Sequence, residues 1–266
     1  MRGDAMSGAI ALDPSEIHLW LVDYVAISDE ALHLAYRELL SAEERAQEPK
    51  YYFAKDRRRY LVTRVLVRTV LSRYVPIDPR DWVFGTNAYG RPHALNPQAE
   101  NMRLTFNLSH THSMIVLGVT VGRALGVDVE NIRAREVSIG VAERFFSPLE
   151  ADELANTPSH RQQHRFFEYW TFKEAYIKAR GMGLQLPLDK FSFDYPHDNR
   201  VRIAIDQELG DDPARWRFWQ LQPEADYLLA VCAERLDAHV PELIVRRAVP
   251  LAGEERLALD FLRTSE

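Results

Sequence analysis

The sequence has a single cysteine, Cys232, set in the apolar run LLAVCA. One thiol closes no internal disulfide, so nothing asks for an oxidising compartment, and a buried, inert side chain is the expectation. No stretch is long and apolar enough to span a bilayer. The opening MRGDAMSGAIALDP lacks the layout of a secretory signal; its first dozen residues read as frayed, with Met6 as an alternative start. Positive charge is not in excess: 33 Lys and Arg stand against 39 Asp and Glu, for a formal net charge of -6. That balance excludes a bulk nucleic-acid binder but leaves room for a local basic patch. No glycine-rich dinucleotide loop and no G-x-S-x-G elbow occurs, which removes two large enzyme classes. The expectation is a soluble cytoplasmic protein with no membrane and no nucleic-acid partner.

What is present suits a packed domain or two. Of 266 residues, 46% are hydrophobic and 27% charged, so a core is within reach and disorder is not the default. Ile17–Val25 reads as a strand and Ser28–Leu40 as a helix. Ser41 opens a capping box, SAEE. Lys55–Tyr74 has helical apolar spacing (Tyr60, Leu61, Val65, Leu66, Val70) and should stop at Pro76. Strands are expected at Trp82–Phe84, Leu104–Asn107, Ser113–Val121 and Leu125–Glu130, the last two joined by the VGRA turn as a hairpin. Short helices follow near Val137–Phe145 and from Ser147-Pro148 to Leu154. A long helix then runs over Gln162–Arg180, closed by Gly181 and Gly183. FSFDY, VRIAI, WRFWQLQ and YLLAVCA read as strands.

After the first long helix comes VPIDPRDWVF and after the second LPLDKFSF. This echo suggests two related halves, each a long helix feeding a sheet. With no βαβ alternation the class is α+β. The division falls near Gly122: an N-terminal half at 13–122, a C-terminal half at 123–240, and terminal extensions at 1–12 and 241–266.

Four groups of residues carry chemistry. In GVDVE, Asp128 and Glu130 lie two apart on a strand and so share a face. Paired carboxylates there suit Mg²⁺, although for that motif alone the polar face of an exposed strand is the preferred reading. In FKEAYIK, Glu174 and Lys178 share a helix face, with Lys173 beside them. A surface ion pair is the plain reading; the many apolar neighbours (Trp170, Phe172, Tyr176, Ile177) point instead to a cleft wall. In FNLSHTHS, Ser109, His110 and His112 follow a short strand and offer hydroxyl and imidazole to a phosphate. For His112 an ordinary loop histidine is preferred. Arg57, Arg58 and Arg59 open a helix, and Arg91 sits in the GRP turn. A solvated basic face suffices for Arg57 and Arg58. Together the groups offer acidic ligands for a divalent cation, cations for several phosphates, and a candidate base.

GVDVE followed by FKEAYIKARGMGLQLPL resembles the signature pair of the 4′-phosphopantetheinyl transferases, in their longer Sfp-type branch. FNLSH, the YGRP turn and RRRYLVTRVLVR resemble that branch too, in order from about Ser41 to Phe193. The resemblance implies a pseudo-dimer of two similar α+β halves, each a long helix on a mostly antiparallel sheet, with the active site at their interface. It implies transfer of 4′-phosphopantetheine from coenzyme A to a serine of an apo acyl or peptidyl carrier protein by a monomeric enzyme. Mg²⁺, or Mn²⁺ in its place, would be held by Asp128, Glu130 and Glu174. Arg59, Arg91, Ser109, His110, Lys173 and Lys178 would contact coenzyme A, and Glu174 would serve as base, directly or through water. Two lysines of the branch have no match in EERAQEPK, where Arg45 and Lys50 are the substitutes. A carrier-binding module without activity would be expected to lack some of the acids. A metal-dependent phosphoesterase would be expected to carry histidine–aspartate clusters.

Overall fold

A computed structural model describes residues 8–265 apart from 135, 138, 237 and 238. The chain begins with β1 (Glu16–Asp23), α1 (Glu30–Glu38), α2 (Ala42–Gln47) and α3 (Ala54–Leu71). Then come β2 (Phe84–Thr86), β3 (Pro92–Ala94), α4 (Pro97–Asn101), β4 (Leu104–His110) and β5 (Met114–Val121). It continues through β6 (Leu125–Asn131), α5 (Ile139–Phe145), α6 (Pro148–Asn156) and α7 (Ser159–Arg180). The last strands are β7 (Phe191–Asp194), β8 (Arg202–Ile205), β9 (Trp216–Leu221), β10 (Tyr227–Glu234), β11 (Glu242–Val249), β12 (Gly253–Leu257) and β13 (Phe261–Thr264). Met6 lies outside the described residues. No described helix is long and apolar enough to cross a membrane.

Local chemistry explains the helix ends. Asp29, not Ser28, caps α1, because its carboxylate accepts from the Ala31 and Leu32 amides. The capping box at Ser41 and Glu44 forms, and a second forms at Ser147 and Glu150. Helix α3 ends at Leu71, short of Pro76, as the Arg73 and Tyr74 amides turn to the carbonyls three residues back. Gly181 closes α7 with φ +66°, a left-handed conformation that suits glycine.

The strands form a five-stranded sheet, β12-β11-β1-β5-β4, and a four-stranded sheet, β13-β9-β10-β6. Strands β5 and β6 are therefore not a hairpin. Both edges of β5 are taken, by β1 and β4, so β6 has none to join and pairs with β10. The chain crosses between sheets at Gly122, which has φ +70°. Residues 241–266 are likewise more than an extension. Strand β11 runs parallel to β1 from Glu16↔Glu242 to Leu21↔Arg247, β12 pairs with β11, and β13 covers the edge of β9. These are open edges that a sheet must protect.

Two similar halves are visible in the pairing. In each, the first strand (β1, β6) pairs antiparallel with the last (β5, β10), which pairs antiparallel with the one before it (β4, β9). In each, the long helix leads into a two-stranded hairpin, β2–β3 or β7–β8. Alternation along the strands sorts side chains into three cores. Trp20, Leu117 and Val65 pack under α3; Phe172, Phe218 and Cys232 pack under α7; Leu19, Val116, Val127 and Leu229 fill the space between the sheets. Burial pushes the Cys232 thiol well above its ordinary pKa, so it is an inert core residue.

Candidate active site

Gly126 sets the distance between β6 and α7. A Cβ there would stand 1.9 Å from the Ala175 carbonyl oxygen and 2.5 Å from the Ala179 nitrogen. Only glycine lets the strand lie this close to the helix backbone. Two and four residues on, Asp128 and Glu130 follow on the same strand face, while Val127 and Val129 point into the inter-sheet core. On α7, Glu174 and Lys178 are one turn apart. The Lys178 ammonium donates to Asp128 Oδ1 at 2.6 Å, Ser109 Oγ at 3.0 Å and the Val127 carbonyl at 3.1 Å.

The free edge of β6 meets β4 through side chains rather than backbone. The Val127 amide donates to Asn107 Oδ1 at 2.8 Å, the Val129 amide to Ser109 Oγ at 3.2 Å, and the Asn131 amide to Thr111 Oγ1 at 3.2 Å. The two hydroxyls in turn donate to the carboxylates: Ser109 to Asp128 Oδ1 at 2.8 Å, Thr111 to Glu130 Oε2 at 3.2 Å. The halves are clamped further by the turn after β2. Arg91 donates to the carbonyls of Lys178, Ala179 and Leu125 at 2.6, 3.1 and 2.9 Å, and Asn87 Nδ2 donates to the Gly181 carbonyl at 2.9 Å.

The acids are under-compensated. Asp128 is 5% exposed, and its Oδ2 is buried without a hydrogen-bond partner. Glu174 is half-buried; burial first, and then the Asp128 charge, raise its pKa, while Lys178 partly opposes them. A divalent cation would relieve both, so the residues present fit one. Among the described residues no three His, Cys, Asp or Glu side chains converge on one point. Asp128 lies close enough to Glu174 for its charge to raise the Glu174 pKa, and a cation beside them would keep ligand positions for water and substrate oxygens, the habit of Mg²⁺.

His110 ends β4 with its ring exposed. Desolvation beside the cleft, then the Arg59 charge, lower its pKa. Arg59 is paired with Asp56 at 3.1 Å and remains 30% exposed. The Arg59 guanidinium and the His110 imidazole mark the anion-friendly end of the site.

Two expected contacts are corrected. Lys173 is fully buried, paired with Glu150 at 2.8 Å and donating to the carbonyls of Leu188 and Phe191 at 2.7 Å each. One residue's rotation from Glu174 turns it into the α7 core, where burial lowers its pKa against the pull of Glu150. Arg91 faces carbonyls, not the cleft, and burial lowers its pKa. Arg45 and Arg57 also hold backbone carbonyls, at Leu40 and at Tyr51 and Tyr52, whereas Lys50 is exposed. Sequence reasoning missed Asn107, Thr111, Gly126 and Glu150 as site-building residues. The alternation Asn107, Ser109, Thr111 against Phe106 and Leu108 was the available signal for the first two.

The family model of the 4′-phosphopantetheinyl transferase superfamily matches residues 124–232, and that of the 4′-phosphopantetheinyl transferase N-terminal region matches 27–121. The two matches abut where the chain crosses between sheets. A 4′-phosphopantetheinyl transferase of Bacillus subtilis is 35% identical over 198 residues, 74% of this chain and 84% of the relative. The transferase HetI of a Nostoc species is 34% identical over 175 residues, 66% and 73% of the two chains. The transferase Sfp of Bacillus subtilis strain 168 is 32% identical over 203 residues, 76% and 85%.

Proposed function

Because the chain belongs to the 4′-phosphopantetheinyl transferases, we propose that it moves the 4′-phosphopantetheine arm of coenzyme A onto a serine of an apo acyl or peptidyl carrier protein. The carrier serine oxygen forms a bond to the β-phosphorus, the bond to adenosine 3′,5′-bisphosphate breaks, and the serine proton goes to a base. The observation that carries this reading is the orphaned Asp128 Oδ2 beside Glu174 and Lys178 at the seam between halves.

Asp128, Glu130 and Glu174 would hold Mg²⁺ or Mn²⁺, which when bound neutralises charge on the pyrophosphate. Lys178, whose three N–H groups go to Asp128, Ser109 and Val127, supplies positive charge beside the same phosphates. Ser109 holds Asp128 and Lys178 in place beside the coenzyme A phosphates it would contact. Arg59 and His110 bind the phosphate at the adenosine end; donors and cations fixed in advance need no reorganisation as charge shifts. The raised pKa of Glu174 suits it to accept the serine proton, directly or through water. The paired halves already supply the cleft, which supports a monomer, and the lone buried thiol of Cys232 agrees with a cytoplasmic setting.

The test is mass spectrometry of an apo carrier incubated with the protein, coenzyme A and Mg²⁺, with an EDTA arm and an Asp128→Asn arm. A gain of one phosphopantetheine that is lost with EDTA and falls about a hundredfold or more in rate with Asp128→Asn is expected. No gain on several unrelated carriers, with coenzyme A still bound, would leave a binding module instead.

A further inference from the structure

We propose that Thr111 is a positioning residue for Glu130, and that the hydroxyl ladder on β4 is what aims the carboxylates of β6. This rests on the metal reading above and adds to it a residue outside the motifs that suggested it. The hydroxyl of Thr111 accepts the Asn131 amide and donates to Glu130 Oε2, each at 3.2 Å. A hydroxyl has one proton to give. With the backbone amide directed at its oxygen, that proton is left for the carboxylate. Threonine is also stiff at χ1, so the direction of the bond is set by the backbone just past the end of β4.

Ser109 repeats the arrangement one step earlier, accepting from Val129 and donating to Asp128. Asp128 is short and is held a second time by Lys178. Glu130 has a longer side chain with one more torsion, and the Thr111 hydroxyl fixes the direction of its Oε2. Asn107 is the internal contrast: it takes the Val127 amide at 2.8 Å, and none of its hydrogen bonds reaches Asp128 or Glu130. Asn107 sets register alone; Ser109 and Thr111 set register and carboxylate together. Thr111 also adjoins His110, so one short segment serves both ends of the site.

The experiment is Mn²⁺ binding followed by electron paramagnetic resonance on the full chain with coenzyme A present, for wild type, Thr111→Val and Thr111→Ser. Loss of an outer partner of a metal ligand is expected to weaken Mn²⁺ binding about tenfold in Thr111→Val, with Thr111→Ser within about twofold of wild type. Transfer assays should show a raised Mg²⁺ requirement in Thr111→Val, with turnover recovered at saturating Mg²⁺. Should the valine variant fail to fold, Thr111→Ala takes its place with the same expectation. Unchanged Mn²⁺ affinity in the variant that lacks the hydroxyl, or equal weakening by serine, overturns the role of Thr111 alone. Wild type that binds no Mn²⁺ overturns the metal reading and this inference with it.

Discussion

In the N-terminal half the residue opposite Leu117 is Trp20; in the C-terminal half the residue opposite Ala230, the corresponding fourth position of the eight-residue strand, is Asp128. By the same count Val22 answers to Glu130, and His18 to Gly126. The outer edges differ in kind as well. The edge of β1 is closed by the backbone of β11, while the amides of β6 end on the side chains of Asn107, Ser109 and Thr111. The counterparts of Asn107 and Ser109 on β9 are Trp219 and Leu221, both buried between the sheets. A strand edge satisfied by backbone is sealed. One satisfied by side chains leaves room for carboxylates in reach of solvent and substrate. Two similar halves thus yield one cleft with chemistry and one filled with apolar side chains and a strand.

Two substitutions would break this comparison most directly. The first is Lys173→Met. The Glu150–Lys173 pair has a counterpart in Glu44–Arg68, where Arg68 bonds Glu44 at 2.8 Å and the carbonyls of Pro79 and Trp82. Each pair ties a capping-box glutamate to the long helix and to the segment that follows it. Removing one buried partner leaves the other charge unpaired, and a loss of about 3–5 kcal/mol in chemical unfolding is expected. Glu150→Met on top of it should recover only part of that loss, because Glu150 also accepts from the Ser147 and Phe193 amides. A phosphate-contact role predicts the reverse: a raised KM for coenzyme A with stability intact. The second is Gly126→Ala, whose Cβ would strike α7 backbone. About 3 kcal/mol is expected, read by urea denaturation, together with lost transfer as β6 moves off the helix. Activity unchanged in a folded Gly126→Ala would show that the close approach does not set the site.

The parts of this arrangement that local patterning encodes were legible. GVDVE places two acids on one strand face, the two capping boxes announce their helices, and Gly181 marks the end of α7. What was not legible depends on partners far along the chain. Lys173 and Glu174 are neighbours on an apolar helix, and only Glu150, beyond the reach of helical spacing, decides which one turns inward. Arg91 looks like an exposed turn arginine until α7 presents its carbonyls. The β5–β6 turn reads as a hairpin because nothing in it reports that β1 and β4 already hold β5. The strand ELIVRRAV carries no sign of its parallel partner more than two hundred residues earlier.

Glu174→Gln sharpens the comparison with the smallest expected effect on the fold. Burial and Asp128 raise the Glu174 pKa above its unfolded value, so the folded state binds this proton more tightly than the unfolded chain. The unfolded state then carries fewer protons between the two pKa values, and stability falls as pH rises through that window. At neutral pH the ionised Glu174 is a net cost, which glutamine removes. Thermal unfolding should therefore show Glu174→Gln slightly more stable than wild type at neutral pH, with the gain fading as pH drops through that window and gone below the ordinary carboxylate value. Transfer should be lost at every pH. Saturating Mg²⁺ should erase much of the stability difference by compensating the wild-type charge. A stability gap that ignored both pH and Mg²⁺ would show that Glu174 is no more poised than Thr69, which follows Arg68 on α3 as Glu174 follows Lys173 on α7 and is buried there.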